Sequence, residues 1–471
     1  MILNIAWKNI WRSKLRSSVV IFAIAIGLLA GVFSSALMIG MLMQRVDTAI
    51  SNEVSSLQLH NADFMENNEV TKTISNSNAL ISEISKDPDV RAVSKRITVE
   101  SMVNSGHGPL GVMIKGVVPE NEKRVSKIYK YIADSSGSFF NSKGRNPIVI
   151  GSKLAEKLKV HLRSKIQIDI VTKQGLPTSA IFRVAGIFKT DNSMFDEMTA
   201  FVKFDDLQEL IEFDEDESHE IAILTKNIML TDSLQQRIMN KYTNYIINDG
   251  AILRTENLSL KPYILSFLKS IKSSKSYNYK SFVGLLDKNI KEDDEDSKQE
   301  ILKSCETGLN AMSWKKLTPD LELTTQYMDL MLFIYVGIIL LALGFGIVNT
   351  MLMVVLERTK ELGMLMAIGM NRSRVYSMVM LETVLLSLVG GIVGLLLSYI
   401  AVTYFGNKGI NLGDFGEGLN SIGYSSLVFP ALDFASYVKV VIMVIFTGIF
   451  AALYPAWKAI SLNPSEAIRT E

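Results

Sequence analysis

The residues that could do chemistry are few, and their spacing does not suit catalysis. His60, His107, His161 and His219 are scattered along the chain with no paired spacing for a metal ion, and they read as ordinary surface or loop residues. Cys305 is the single cysteine, so it has no intrachain disulfide partner and reads as incidental. No Gly-x-x-x-x-Gly-Lys-Ser/Thr loop is present to cradle a phosphate. The sequence therefore predicts no catalytic residue, no metal site and no cofactor of its own. One segment stands out, ERTKELGMLMAIGMNRSRVYSM from Glu357 onward. Its charges alternate with Leu362, Met364, Leu365 and Ile368, which are expected to form one apolar face of a short helix. That face must lie on a membrane surface or on a docked partner, and both readings stand.

Four long apolar runs frame this segment, at 19–43, 330–356, 383–407 and 440–457. Each approaches or exceeds the roughly 20 residues that a helix needs to cross about 30 Å of hydrocarbon. The first is too long for the apolar part of a signal peptide and reads as an uncleaved anchor. Lys8, Arg12, Lys14 and Arg16 precede the first run, and Arg358, Lys360, Arg372 and Arg374 lie between the second and third. The loop between the third and fourth carries Asp414, Glu417 and Asp433 against Lys408. The positive-inside bias then puts both termini and the 357–376 loop in the cytoplasm, and the polar sequence after the first run outside. With 49 basic and 48 acidic residues, the formal charge of +1 gives no signal for nucleic acid.

The expected fold is a membrane protein of four transmembrane helices with a large extracytoplasmic α+β domain between the first and second. Its segments are an amphipathic helix at 1–18, spans at 19–43, 329–356, 377–405 and 434–456, the outer domain at 44–328, a cytoplasmic helix at 357–376, an outer loop at 406–433 and a tail at 457–471. In the outer domain, 96–103, 112–118, 166–172, 180–188 and 221–225 read as strands rich in β-branched residues. The segments 79–86, 152–158, 204–213 and 233–245 read as helices. Residues 255–310, rich in Lys, Ser and acids, read as an excursion from this core. The polar stretch after Pro319 is expected to run into the second span as a continuous helical stalk.

Ionisable groups are nearly absent from the spans, which argues against ion-coupled transport. Glu382 lies near the cytoplasmic interface, and Asn349 is the main polar group inside the second span. Gly390, Gly391 and Gly394 form a small-residue pattern suited to close helix approach. Met38, Met41 and Met43, at the outer end of the first span, offer an adaptable apolar surface, or simple lipid contact. Any energy for work should enter from another chain.

The segment ERTKELGMLMAIGMNRSRV resembles the coupling helix E-R-x-x-E-[IL]-G-x-[LM]-x-A-[IL]-G of the MacB/FtsX/LolC–LolE permeases, the type VII ABC transporters. The opening AWKNIWRSKLRSS and the ending ALYPAWKAISLNPSEAIRTE are similar to that family's two ends. MIKGVVPENE, PIVIGSKLAEKLKV and FRVAGIFKTDNSMFDEMTAFVKFDDLQ look like its outer-domain signatures, with Porter and Sabre parts. The resemblance implies a non-catalytic permease subunit in the bacterial inner membrane, working as a homo- or heterodimer with a separate cytosolic ATPase. ATP and magnesium would reside in that ATPase. The coupling residues it implies are Glu357, Arg358, Lys360, Glu361, Leu362, Gly363, Met364, Ala367 and Gly369. The lack of a fused ATPase makes the chain most like the lipoprotein-releasing permeases, with Met38, Met41 and Met43 on the substrate path and a periplasmic chaperone as acceptor. Peptide or drug export with a periplasmic adaptor, and signalling to a cell-wall hydrolase, are the alternatives.

Overall fold

The structure, a computed structural model, describes residues 2–12, 14–61, 64–140, 145–248 and 309–461. The 255–310 excursion (apart from its last two residues), Cys305 and the terminal motif beyond 461 lie outside the described residues. The chain forms two compact units. One comprises 1–44, 323–417 and 425–471, and the other 45–322 with 418–424.

In chain order the elements begin with α1 (Ile2–Arg12) and α2 (Lys14–Thr48), which ends in a π-helical turn, Ala49–Val54. There follow β1 (Leu57–Asn61), α3 (Phe64–Asn67), α4 (Ser77–Ile84), β2 (Val90–Asn104), β3 (Pro109–Val117), α5 (Pro119–Val125), β4 (Ile132–Gly137) and β5 (Pro147–Gly151). Next come α6 (Ser152–Leu158), β6 (Lys165–Val171), β7 (Pro177–Phe188), α7 (Ser193–Met198), β8 (Thr199–Lys203), α8 (Phe204–Ile211), β9 (Glu220–Thr225) and α9 (Thr231–Asn248). After the undescribed segment the chain resumes with β10 (Leu309–Ser313), α10 (Trp314–Leu317), α11 (Pro319–Gln326), α12 (Met328–Glu357), α13 (Thr359–Ala367) and α14 (Arg372–Lys408). A small hairpin of β11 (Ile410–Asn411) and β12 (Leu427–Val428) encloses α15 (Gly416–Ser421), and α16 (Phe434–Ile460) completes the described chain.

In the second unit ten strands among the described residues make one mixed sheet in the order β10-β1-β9-β2-β3-β8-β5-β7-β4, with β6 pairing both β2 and β7. The strand sequences carry the period that this requires. In β6, KIQIDIV, Ile166, Ile168 and Ile170 are buried while the residues between them face outward. These isoleucines join Ile97, Ile114, Phe182 and Val202 in the main core. Helix α8 seals this core with Leu207, whose side chain lies 2.9 Å from where a Cβ on Gly116 would stand. Only glycine lets the helix sit that low on β3.

The other unit is a helix bundle. Among the described residues four helices are long and apolar enough to cross a membrane: Ser17–Val54, Met328–Glu357, Arg372–Lys408 and Phe434–Ile460. A Cβ on Gly27 would meet Leu343 of α12 at 2.6 Å, and one on Gly390 would meet Ile24 of α2 at 2.9 Å. At Gly394 the neighbours are Leu28 and the Ala25 backbone, and at Gly391 Val444 of α16. Small residues thus mark where the helix backbones approach most closely.

The structure corrects three local expectations. The amphipathic helix stops at Arg12 rather than residue 18, and it buries Ala6 and Ile10 while Trp7 and Trp11 stay exposed; Leu15, also exposed, belongs to α2. Ile10 lies three residues from Trp7, but burial follows contact with α14 rather than a face shared by all the apolar residues. The stalk is not one helix: Tyr327, at φ −88° and ψ 0°, separates α11 from α12. One i→i−4 hydrogen bond lies on each side of this point, from Tyr327 N to Leu323 O and from Met331 N to Tyr327 O. Finally, His60 and His219 are not surface residues. Both are buried on either side of Phe64, stacked at centroid distances of 5.5 and 4.6 Å.

Candidate functional site

Helix α13 occupies a tight hairpin between α12 and α14, and its sequence explains both ends. Gly369 adopts φ +101°, which lets the Met370 N–H reach back to Leu365 O at 3.0 Å and close the helix. Two residues later the Asn371 side chain accepts from Ser373 N at 3.1 Å and starts α14. The Ile-Gly-Met-Asn sequence therefore reverses the chain in four residues.

One side of α13 is seated. Leu362 is 2% exposed, packed with Val355, Val375, Met378, Val379, Ala456 and Ala459, and Gly363 beside it is buried. Removing a leucine of this kind from water stabilises by about 1.5–3 kcal/mol. The opposite side is open: Met364 is 55% and Ile368 79% exposed, with Lys360 and Ala367 exposed alongside. This corrects the single apolar face read from the sequence. Met364 lies two residues from Leu362, roughly 200° around a helix, so the two cannot share a face. Leu365 stays with the seated side, and the i, i+4, i+8 set Lys360, Met364 and Ile368 forms a separate outward stripe.

The ends of the seat are held by a chain of alternating charge. Arg12 Nη2 and Nη1 donate to Glu361 at 2.6 and 3.3 Å. Arg358 Nε donates to the same carboxylate at 3.0 Å, and its Nη1 reaches both oxygens of Glu382 at 3.3 Å. Asn9 is a further hydrogen-bond partner of Glu382. Hydrogen bonds from Arg358, then Arg12, hold Glu361 below the usual carboxylate range. Exposure is graded along the chain. The Arg12 and Glu361 side chains are 66% and 39% exposed, whereas those of Arg358 and Glu382 are 20% and 9%. Sequence reasoning selected Arg358 and Glu361 but missed Asn9, Arg12 and Glu382 as members of the site. The signal was present in the i, i+3 spacing of Asn9 and Arg12, which places both on one helix face.

Met38 and Met43 are exposed and Met41 is half-buried, and the three do not converge. Met38 and Met41 share a face, whereas Met43 points about 140° away from Met38. Elsewhere in the same unit an apolar groove of about 650 Å³ lies between α12 and α16, with Phe333, Phe345, Phe446 and Phe450 on its walls and Gly337 and Gly344 beneath.

The second unit holds its own ionic cluster, and this one is fully buried. Arg96 donates to Glu122 at 2.7 and 3.0 Å and to Glu220 at 2.6 Å. Lys115 lies nearby and donates to Glu53 O at 3.0 Å. Burial works to raise the Glu220 pKa, but Arg96 and Lys115 hold it below the usual range. Burial lowers the His219 pKa to about 4, so the ring is neutral, accepting from Thr98 N and donating to Val70 O. Among the described residues no group of three or more His, Cys, Asp or Glu is placed to hold a metal ion.

Two family models match the chain. Residues 17–241 match the MacB-like periplasmic core domain, and 333–464 match the FtsX-like permease C-terminal domain. A macrolide export ATP-binding/permease protein MacB of Bordetella avium is 31% identical over 150 residues, covering 32% of this chain and 21% of that protein. An uncharacterized ABC transporter permease, YknZ of Bacillus subtilis, is 29% identical over 168 residues, covering 35% and 38%. The matches thus take in well under half of these relatives' lengths. The extracellular domain of YknZ, a solved structure, aligns over 39% of this chain and 92% of that one, at 16% identity and a TM-score of 0.28.

Proposed function

Proceeding from the two matched domains, which support an ABC-transporter permease of the MacB/FtsX family, we propose that the chain transmits work from a separate cytosolic ATPase to its periplasmic core domain. The observation that carries this reading is the two-sidedness of α13. Leu362 and the charge chain tie the helix to α1, α12 and α14, while Lys360, Met364, Ala367 and Ile368 face outward for a docked protein. A dimer of permeases in a bacterial inner membrane, with the ATPases bound on the α13 side and both termini on that side, is the assembly this reading calls for. ATP and magnesium belong to the ATPase.

For cargo, we propose lipoprotein extraction toward a periplasmic chaperone. The apolar groove between α12 and α16 favours it, since an acyl chain needs a dry lateral surface and offers no polar group to satisfy. The macrolide export relatives favour a second reading, export of small molecules or peptides with a periplasmic adaptor. The test uses the full chain with its co-purified ATPase in nanodiscs. ATP-dependent release of a triacylated lipoprotein is expected. No release, with ATP hydrolysis stimulated by a macrolide, overturns the lipoprotein reading. Glu361→Lys combined with Gly363→Pro is expected to abolish ATP-driven function while membrane insertion is retained. Unchanged activity in that variant would mean that α13 only rests on the membrane.

A further inference from the structure

Helix α13 is joined to the start of the chain as well as to its sequence neighbours. Arg12 grips Glu361 with both terminal nitrogens, and Asn9, one turn earlier on the same face of α1, reaches Glu382. Ile5 packs into the apolar cluster that seats Leu362. From α1 the connection passes directly into α2, because Ser17 Oγ donates to Ile10 O at 2.5 Å across the junction. A second connection leaves α13 by the covalent turn at Arg358 into α12.

We propose that α1 is a second transmission arm, with Arg12 and Asn9 as positioning residues that carry a displacement of α13 into α2 without passing through α12. The geometry favours a shared load. Two parallel N–H···O bonds from a guanidinium resist rotation as well as separation, which one point contact does not. The proposal rests on the reading of α13 as the ATPase-docking helix. Under it, the two helices that bracket the periplasmic core domain in sequence are driven separately, α2 through α1 and α12 through Arg358. It also gives a physical role to the AWKNIWR segment beside ERTKE, since Arg12 of the first engages Glu361 of the second, and Asn9 reaches Glu382 of α14, which Arg358 also holds.

The experiment uses the full chain with its co-purified ATPase in nanodiscs, in a Cys305→Ser background. A spin label is placed on α2 by Ile26→Cys or on α12 by Ile338→Cys, both exposed positions. ATP is expected to change label mobility at both sites. Arg12→Leu is expected to cut the ATP-induced change at position 26 at least fivefold and leave that at 338 within twofold, with ATPase co-purification unaltered. Arg12→Lys, which keeps the charge but not the paired bonds, is expected to recover part of the change at 26. Equal responses at both labels in Arg12→Leu would overturn the proposal. Loss at both labels would overturn it too, since α1 would then only hold α13 in place. If the unaltered chain responds at neither label, the docking reading itself falls, a result distinguishable from the other two.

Discussion

Among the described residues, two of the ionic networks pair arginine with glutamate in opposite settings. Around Arg96, one guanidinium is shared by Glu122 and Glu220 with every side chain under 5% exposed. Around Glu361, the charges alternate from a nearly buried carboxylate on α14 to an arginine that is 66% exposed. A buried cluster of this kind has few alternatives. Breaking it leaves an uncompensated charge in a low dielectric, so it behaves as a fixed joint. A graded chain can exchange partners with water at its exposed end at little cost, typically 0–1 kcal/mol per exposed pair. Similar chemistry therefore makes a fixed anchor in the sheet and, on the helix bundle, a contact that can shift and re-form.

The strongest way to break this comparison is Arg96→Met. It strands two buried carboxylates and should destabilise the second unit by about 3–5 kcal/mol, read as a lower midpoint in denaturant for the full chain in detergent. Adding Glu122→Leu and Glu220→Leu should recover much of that loss. Failure to recover it would mean that packing around β2, rather than charge, sets the cost.

Acid provides the next test. His219 titrates near 4 when folded but near 6.5 when unfolded, so its contribution is complete above 6.5 and falls as pH drops towards 4. Asp196 has the opposite sign. Burial raises its folded pKa to about 6, so its contribution is complete below the unfolded value of 3.8 and is lost as pH rises through 6. Each amounts to about 3 kcal/mol, and together they largely cancel between pH 4 and 6.5. Asp196→Asn should therefore make thermal stability fall steeply on acidification, and His219→Asn should make it rise. Parallel pH profiles in the two variants would refute the assignment.

The smallest effect sharpens the other side. Moving from 0.1 to 1 M salt shortens the screening length from about 10 to about 3 Å, which should weaken the Arg12–Glu361 contact and leave the Arg96 cluster unchanged. Crosslinking between cysteines placed on α1 and α13 would report it. A salt-insensitive α1–α13 contact would imply that Ile5, not Arg12, makes the attachment.

Much of this was legible along the chain. The β-branched alternation in 166–172 and 180–188 marked β6 and β7, since their partners leave one face dry, and the uncharged runs marked the long helices. What escaped reading depends on contacts distant in sequence. β1 and β10 are five residues each, and nothing local shows that Leu57–Asn61 pairs with Leu309–Ser313. His60 and His219 looked like loop residues because their burial comes from Phe64 stacking on the distant His219 and from β1 lying between β10 and β9. The stripe on α13 was misread because charge alternation gave the helix but not its orientation. Leu362 is seated because α14 and α16 arrive on that side.

The pairing of β1 with β10 governs how the sheet is attached to the chain that enters and leaves it. The register sets Leu57 opposite Ser313 and Asn61 opposite Leu309, so the entering and leaving ends lie side by side at one end of an antiparallel pair. Trp314 N donating to Ser56 O at 3.0 Å adds one more stitch just outside it. Tension that pulls residues 57 and 313 apart would open this seam as a zipper, one pair of bonds at a time. A pull applied to both ends in the same direction leaves every bond of the seam unstretched. The seam therefore tolerates common motion of its two ends and yields first to their separation.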